Sequence, residues 1–173
     1  MIHTIDRYEH GKFLIERFDH YYDSINGKGA FYIGIETFIF GGLIAGYAAF
    51  ADNLPHTWLF WALVFSIFTC CIASIIFTIL SIKPYSRDNH SNDQNPSLVY
   101  FGGIAKHEGI HFKEKFLKQS EDQILNDVVQ QVHSLAKGLV WKFRKLRLAS
   151  ILLLIQFFLM IPIFIFFIKN YTK

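Results

Sequence analysis

The stretch from Gly102 to His111 holds the side chains with the clearest potential for chemistry. Within it, His107, Glu108 and His111 form an H-E-x-x-H string, HEGIH. Two histidines four residues apart can share one face of a helix and bind zinc, and the glutamate between them can activate a metal-bound water. The string therefore raises the hypothesis of a small zinc metalloprotease.

The surrounding residues argue against a zinc site. A catalytic zinc needs a third protein ligand and a cleft shaped for a peptide. Gly109 would lie in the middle of the metal-binding helix, where glycine costs about 1 kcal/mol relative to alanine. We therefore expect His107 and His111 to be partly solvated residues of a short helix, with no metal bound and no catalytic residue. The downstream candidates for a third ligand, none of them at metzincin spacing, are Glu114, Glu121, Asp127 and His133.

The residues just before the string suggest a ligand site. Tyr100 and Phe101 offer aromatic faces, and the diglycine that follows them lets the backbone approach a ligand closely. A helix N-terminus near Ile104 would present free N–H groups to an anion, and Lys106 would add positive charge, as would Lys28 if the N-terminal helix folds against this segment. These features suit a nucleotide, although such stretches are also typical of plain turns packed on a core. The candidate ligand-binding residues are Lys28, Tyr100, Phe101, Gly102, Gly103, Ile104 and Lys106.

These candidate sites belong to a mostly apolar chain, in which 52% of the 173 residues are hydrophobic and 19 are phenylalanine. Three blocks contain no Lys or Arg, at residues 30–51, 57–82 and 148–168. Each is long enough, at about 1.5 Å per residue, to cross a hydrocarbon core of roughly 30 Å. The first block follows 29 polar, mixed-charge residues and so is not typical of a secretory signal. The sequence therefore predicts an all-α membrane protein with three transmembrane helices.

The distribution of Lys and Arg predicts the orientation of these helices. Four of the 17 lie in residues 1–29 and eleven in residues 83–147, whereas residues 52–56 have none and residues 169–173 have two. Cytoplasmic flanks carry the excess of Lys and Arg. We therefore expect a location in the bacterial inner membrane, with the N-terminus cytoplasmic and the C-terminus periplasmic. The net charge of +3 then reflects the orientation of the helices in the membrane, and it does not indicate binding to a nucleic-acid polymer.

The parts outside the spans are predicted to be two amphipathic helices and a loop. Apolar residues recur at helical spacing between residues 3 and 27, and NGKG at residues 26–29 is expected to break or bend that helix before the membrane. Residues 86–97 lack any period, which indicates a flexible loop. A capping box at residues 120–123 starts a second helix, which we expect to continue into the third span. The predicted regions are a cytoplasmic helix at 1–29, a transmembrane hairpin at 30–82, a cytoplasmic loop and long helix at 83–147, and a third transmembrane helix with a short periplasmic tail at 148–173.

Polar and small residues inside the spans raise further hypotheses. Glu36 lies in the first span, where an acidic side chain either has a function or lies close enough to the interface to be wetted. Gly42 and Gly46 form a G-x-x-x-G motif, and with Gly34 they make a face of small residues that permits close helix packing. That face would either seat another span of the same chain or form the contact between subunits of a homo-oligomer. Gln156 offers a polar contact in the third span.

Three stretches resemble the membrane-effector family of the Pycsar antiphage systems: RFDHYYDSINGKGAFYIGIETFIFGGLIAGY, SLVYFGGIA and VHSLAKGLVWKFRKLRLASILLLI. The marks of the resemblance are Lys28-Gly29-Ala30 before the first span, the box from Tyr100 to Ala105, and the basic entry to the third span at residues 142–144. Gly103 stands where the family is expected to have an acidic residue in that box. The resemblance implies that a partner cyclase makes cCMP or cUMP on infection, and that the effector senses this nucleotide and damages the inner membrane. It also implies that the box is not a zinc site.

The leading hypothesis is therefore an inner-membrane effector that senses a cyclic pyrimidine mononucleotide and oligomerises to disrupt the membrane. Its expected partners are the lipid bilayer, the cyclic nucleotide and further copies of the chain, and no cofactor is expected. The alternatives are a small membrane zinc metalloprotease that uses HEGIH, and a ligand-free membrane scaffold that oligomerises through its long helices.

Overall fold

The computed structural model describes residues 2–50, 57–84 and 97–171. Over these residues the chain forms helices and no strand, so the predicted all-α fold is confirmed. The predicted turn at 52–56 and the predicted loop as far as residue 96 lie outside the described residues. The helices are α1 (Ile2–Phe50), α2 (Trp58–Ile82), α3 (Phe101–Ile104), α4 (Gly109–Lys118) and α5 (Glu121–Tyr171).

Three of the described helices are long and apolar enough to cross a membrane, as the sequence predicts. They are the ones that contain the three apolar blocks, namely α1, α2 and α5. Many of their large apolar side chains point outward, since Phe38 is 81% exposed and Phe65 and Phe158 are 74% and 71% exposed. Water would penalise such a surface, whereas lipid does not. The exposed phenylalanines therefore agree with a membrane-spanning role for these helices.

The helices are organised into two compact units. Unit 1 combines Met1–Asp23 with Pro84–Val140, and unit 2 combines Ser24–Lys83 with Trp141–Lys173. Both α1 and α5 contribute to each unit, because neither helix ends at the boundary. Unit 1 therefore holds the segment that follows Tyr100, and unit 2 holds most of the apolar helical surface.

α1 continues as a helix through residues 26–29, so the predicted break there is wrong. No glycine among the described residues has a positive φ. Gly29 instead allows close packing within unit 2, because a Cβ at this position would lie 2.6 Å from Ile82 Cγ2 on α2. Ile25, one turn earlier on α1, is fully buried. The glycine therefore serves a contact between helices rather than a turn.

α5 begins at the predicted capping box and runs without interruption into the apolar segment. The Ser120 N–H donates to Gln123 Oε1 at 3.0 Å, and the Gln123 N–H donates to Ser120 Oγ at 3.3 Å. These reciprocal bonds satisfy two backbone donors that a helix N-terminus otherwise leaves free. The helix passes Gly138 and contains Pro162 before it ends at Tyr171. The expectation that this amphipathic helix continues into the third span is confirmed.

In unit 1, α1 packs against α5 through a glycine and a tyrosine. Gly11 lies so close to α5 that an added Cβ would be 2.5 Å from Val128 Cγ1. The Tyr22 hydroxyl donates to the backbone oxygen of Leu135 at 3.0 Å. Neither amphipathic helix can bury its apolar stripe alone, so each uses the other. This pairing forms the frame on which the segment after residue 97 is held.

Candidate functional site

The HEGIH string does not form a helical metal site. α4 begins at Gly109, and Glu108 is its N-cap residue, with extended backbone torsions of φ −66° and ψ 143°. His107 therefore precedes the helix and does not share a helical face with His111. The His111 Nε2 atom lies 4.0 Å from Glu108 Oε2, and the two side chains are 67% and 87% exposed. Glycine is unfavourable inside a helix, so a helix that starts at Gly109 avoids that cost.

The surface around the string is a shallow depression of about 420 Å³ in which lysines accompany the histidines and acids. A lysine ammonium repels a divalent cation at short range. Among the residues that the structure describes, no three His, Cys, Asp or Glu side chains are grouped so that they could hold a metal ion. The helical arrangement that the alternative zinc-protease hypothesis requires is therefore not formed among these residues. The residues that line the depression are Lys106, His107, Glu108, His111, Glu114 and Lys115.

Residues 97–106, which we call the aromatic box, fold as a compact turn followed by the single turn of α3. The Ser97 Oγ atom accepts hydrogen bonds from the N–H groups of Val99 and Tyr100, both at 3.2 Å. The Tyr100 carbonyl in turn accepts a bond from the Gly103 N–H at 2.9 Å. Much of the polar backbone in the box is therefore satisfied within the box itself.

A carboxylate on α5 anchors the aromatic box within unit 1. The Leu98 N–H donates to Asp127 Oδ2 at 2.9 Å. A bond to an ionised acceptor is stronger than one between neutral groups, so this contact holds the start of the box firmly. Asp127 is recognisable in the sequence only as a possible metal ligand, because no sequence pattern connects it with a residue 29 positions away. Its anchoring role is visible only in the fold.

Both glycines of the aromatic box lie against the chain itself. A Cβ on Gly102 would be 2.6 Å from the Tyr100 ring, and a Cβ on Gly103 would overlap the backbone oxygen of Ser97. The space beside the diglycine, which was predicted to admit a ligand, is thus filled by the chain. Phe101 is 76% exposed, and its ring centroid is 4.6 Å from that of Tyr100. The box presents an aromatic surface rather than an open backbone cradle.

Six of the seven predicted ligand-binding residues lie together in the aromatic box. Lys106 is at the end of the box and is exposed, and Ile104 closes the turn of α3. Lys28 is an exposed residue of α1 and belongs to unit 2, whereas the box belongs to unit 1. The structure therefore groups the aromatic residues, the diglycine, Ile104 and Lys106.

A second polar arrangement lies inside unit 2, and only Glu36 and Gln156 of its members stand out in the sequence as polar residues of the spans. Glu36 and Gln156 are fully buried, and the Gln156 Nε2 atom donates to Glu36 Oε1 at 3.0 Å. This bond joins α1 to α5, so Glu36 is not a wetted residue at an interface. Cys71 of α2 is buried beside the pair, with its Sγ 3.7 Å from the Glu36 backbone oxygen.

Lys142 and three residues of α2 extend this arrangement. Lys142 is 3% exposed, and its Nζ donates to the Ser81 backbone oxygen at 2.7 Å. Residue 142 lies six positions before the third apolar block begins at residue 148. Ser74, Thr78 and Ser81 are fully buried on one face of α2. Their spacing of four and three residues is the signal by which sequence reasoning could have found them.

The small-residue face of α1 has open space in front of it. A Cβ at Gly34, Gly42 or Gly46 would meet no neighbouring heavy atom of the described residues within 4 Å. At these positions the face does not seat another described helix of the same chain.

Two comparisons with known proteins point to one family. A family model described as the Pycsar effector protein domain matches residues 10–169. The chain is also similar to the Pycsar effector protein EcPycTM of Escherichia coli, with 29% identity over 126 residues that cover 68% of this chain and 67% of that protein. No solved structure matches the chain.

Proposed function

The chain belongs to the Pycsar effector family and is an antiphage membrane effector, and we propose that a cyclic pyrimidine mononucleotide controls it. The proposed ligand is cCMP or cUMP, made by a partner cyclase. Binding would shift the resting chain toward an oligomer that breaches the bacterial inner membrane. A ligand drives such a shift only if it binds the active state more tightly than the resting state.

One observation carries this proposal. The aromatic box is anchored to α5, and α5 continues into the third apolar block. Asp127 holds the aromatic box at Leu98, and Asp127 belongs to α5. The same helix passes through the third apolar block before it ends at Tyr171. A ligand that rearranges the box therefore acts on a residue of a membrane helix, with no intervening loop.

The side chains of the box match the parts of a cyclic pyrimidine nucleotide. Phe101 and Tyr100 supply aromatic faces for the base, and stacking of a base on such a ring contributes about 1–3 kcal/mol. Lys106 supplies positive charge for the cyclic phosphate. Residues 102–104 shape the turn that holds these side chains, and Lys28 stays a proposed ligand-binding residue on the basis of the sequence alone.

The open small-residue face of α1 supports a role in oligomerisation. In lipid, small residues let helix backbones approach, and the resulting packing drives association in place of the hydrophobic effect. Gly34, Gly42 and Gly46 lie on a helix whose neighbouring side chains are apolar and exposed, such as Phe38. We propose that a second copy of the chain covers this face in the active assembly.

We propose a cytoplasmic N-terminus and a periplasmic C-terminus, on the basis of the Lys and Arg distribution. The aromatic box would then face the compartment in which a nucleotide cyclase works. A periplasm-active reporter fused after Lys173 should be active, and one fused after Ser97 should be silent. The opposite pattern would contradict a cytoplasmic sensor.

Nucleotide titration of the purified chain in detergent tests the proposal directly. Replacing Phe101 with alanine should weaken binding of cCMP or cUMP about 5- to 150-fold, which corresponds to the loss of about 1–3 kcal/mol of stacking. Phe116→Ala is the matched control, since Phe116 is an exposed aromatic residue of α4 outside the box, 54% exposed. An affinity that Phe101→Ala leaves unchanged would contradict the assigned site. Failure of both nucleotides to bind the unaltered chain would contradict the proposed function.

A further inference from the structure

Among the described residues, the buried polar side chains all lie in unit 2, where α1, α2 and α5 pack together. Many large outward side chains of the same helices are apolar, such as Phe38, Phe65 and Phe158, so the apolar segments combine a lipid-facing surface with a buried polar set. We call the buried set the polar seam. Its members are Glu36, Ser74, Thr78, Ser81, Lys142 and Gln156.

The polar seam runs along one face of α5. Lys142, Ala149 and Gln156 recur every seven residues, a spacing that keeps them on one side of a helix. Lys142 donates to the Ser81 backbone, the Ala149 carbonyl accepts from Ser74 Oγ at 3.2 Å, and Gln156 donates to the carboxyl of Glu36. Fourteen residues separate the two ends on α5, so the seam is about 20 Å long.

An apolar cluster closes the seam at its Gln156 end. The next position on the same face of α5 is Ile163, which is buried with Ile39 of α1 and with Phe60 and Ile67 of α2. Ile39 lies one turn after Glu36 along α1. The core of unit 2 therefore changes from polar to apolar along its length, and the change occurs in all three helices at the same level.

Three oxygen atoms of the seam have no hydrogen-bond partner within the part of the chain that the structure describes: Glu36 Oε2, Thr78 Oγ1 and Gln156 Oε1. The three side chains are fully buried. In a membrane no surrounding water compensates for such groups, and an apolar core of the same shape would be the more stable solution. Polar side chains that remain in this environment indicate a second state in which water or ions reach them.

We propose that the polar seam is the lining of the membrane lesion, kept dry in the resting chain and filled with water and monovalent ions in the active one. The inference rests on the proposed function, because it concerns how a ligand-gated effector breaches the bilayer. The apolar cluster at Ile39, Phe60, Ile67 and Ile163 acts as the gate, since an apolar constriction excludes water until it widens.

The proposed water-filled path and general disruption of the bilayer predict different exposure of α2. They differ in the face of this helix that water reaches. Ser74 and Thr78 belong to the seam, whereas Ile72 and Ile76 lie on the opposite face of the same helix and are 48% and 51% exposed. An ordered path wets only the seam face and leaves the isoleucines in lipid. A bilayer that breaks down around the protein wets both faces.

Cysteine accessibility in proteoliposomes distinguishes these outcomes. In a background with Cys70→Ala and Cys71→Ala, single cysteines are placed at residues 74 and 78, with cysteines at residues 72 and 76 as controls at the same depth. A membrane-impermeant methanethiosulfonate reagent should modify Ser74→Cys and Thr78→Cys at least tenfold faster when cCMP or cUMP is added. Ile72→Cys and Ile76→Cys should stay unmodified. Equal modification at all four positions, or none at residues 74 and 78 while the vesicles leak, would overturn the proposal.

A second measurement needs no cysteine background. Glu36 is the acidic group of the seam and Lys142 is its basic group. Glu36→Gln keeps the shape of the side chain and one acceptor oxygen while it removes the charge, and Lys142→Met keeps an unbranched side chain of similar length without the charge. In the nucleotide-activated state the two substitutions should shift the potassium–chloride reversal potential in opposite directions. A reversal potential that neither substitution shifts would also overturn the proposal.

A different result would refute the proposed function on which the inference rests. That result is the absence of leakage from vesicles of the unaltered chain with either nucleotide.

Discussion

Replacing Gly29 with alanine tests whether α1 and α2 approach as closely as the structure shows. A Cβ at residue 29 would lie 2.6 Å from Ile82 Cγ2 and 3.5 Å from Thr78 Cγ2. The first distance is too short for an ordinary carbon contact, so Gly29→Ala should overpack the interface at a cost of about 1–3 kcal/mol. The better helix propensity of alanine offsets about 1 kcal/mol of that cost. The expected net loss in the free energy of unfolding is therefore between about zero and 2 kcal/mol.

Gly27 provides a matched control on the same helix. It is exposed, and a Cβ there would meet nothing within 4 Å. Gly27→Ala should therefore stabilise the chain by about 1 kcal/mol through helix propensity alone. Because that gain is common to both substitutions, the two variants should differ by the overpacking cost of about 1–3 kcal/mol.

The assay is unfolding in mixed micelles with an increasing fraction of SDS, followed by circular dichroism. Ile82→Ala removes the Cγ2 atom that the new methyl group would meet. In that background Gly29→Ala should become stabilising, as Gly27→Ala is in the unaltered chain. The reasoning is refuted if Gly29→Ala stabilises the unaltered chain as much as Gly27→Ala does.

Three further substitutions test features of unit 1. Ser120→Ala removes half of the reciprocal cap of α5 and should lower the free energy of unfolding by about 0.5–2 kcal/mol, which a thermal melt in detergent would measure. Gly103→Ala should weaken the titrated affinity for cCMP or cUMP, because its Cβ overlaps the Ser97 backbone, whereas Gly109→Ala, whose Cβ meets nothing within 4 Å, should leave that affinity unchanged. Glu108→Gln should leave toxicity to bacterial cells intact, and the purified chain should carry substoichiometric zinc. Stoichiometric zinc would restore the metalloprotease hypothesis.

The features that the sequence predicts correctly depend on short windows of the chain. The apolar block at 57–82 and the observed α2, Trp58–Ile82, differ by one residue, because hydropathy and helix length are local properties. The capping box needs only the four residues from Ser120 to Gln123, and both of its hydrogen bonds form. Continuity of α5 into the apolar block follows from the same periodicity, which no proline interrupts before Pro162.

The features that the sequence did not predict, or predicted wrongly, depend on distant partners or on the position of a helix boundary. Asparagine and glycine at residues 26–29 are local turn signals. Gly29 instead lies in a helix and permits a close contact with Ile82, which is 53 positions later in the sequence. The spacing of HEGIH implies a shared face only if one helix contains both histidines, and α4 starts between them. The link from Leu98 to Asp127 and the link from Lys142 to Ser81 join segments that no single-sequence pattern pairs.

Three side chains of α5 make polar contacts with other segments, and their order along the helix would let the proposed nucleotide act on the core of unit 2. Asp127 contacts the aromatic box, Lys142 contacts Ser81, and Gln156 contacts Glu36. Pro162 lies beyond all three contacts, so the position most prone to kink does not separate them. The Gln156–Glu36 contact leaves one oxygen of each side chain unpaired, and an unpaired buried polar group costs about 1–3 kcal/mol. Coupling between a ligand site and a distant site is typically also about 1–3 kcal/mol. If the proposed nucleotide favours a different position of Asp127, the free energy that it supplies would match the cost of the half-satisfied contact between Gln156 and Glu36, whereas a fully paired or wholly apolar core offers no such contact to disrupt.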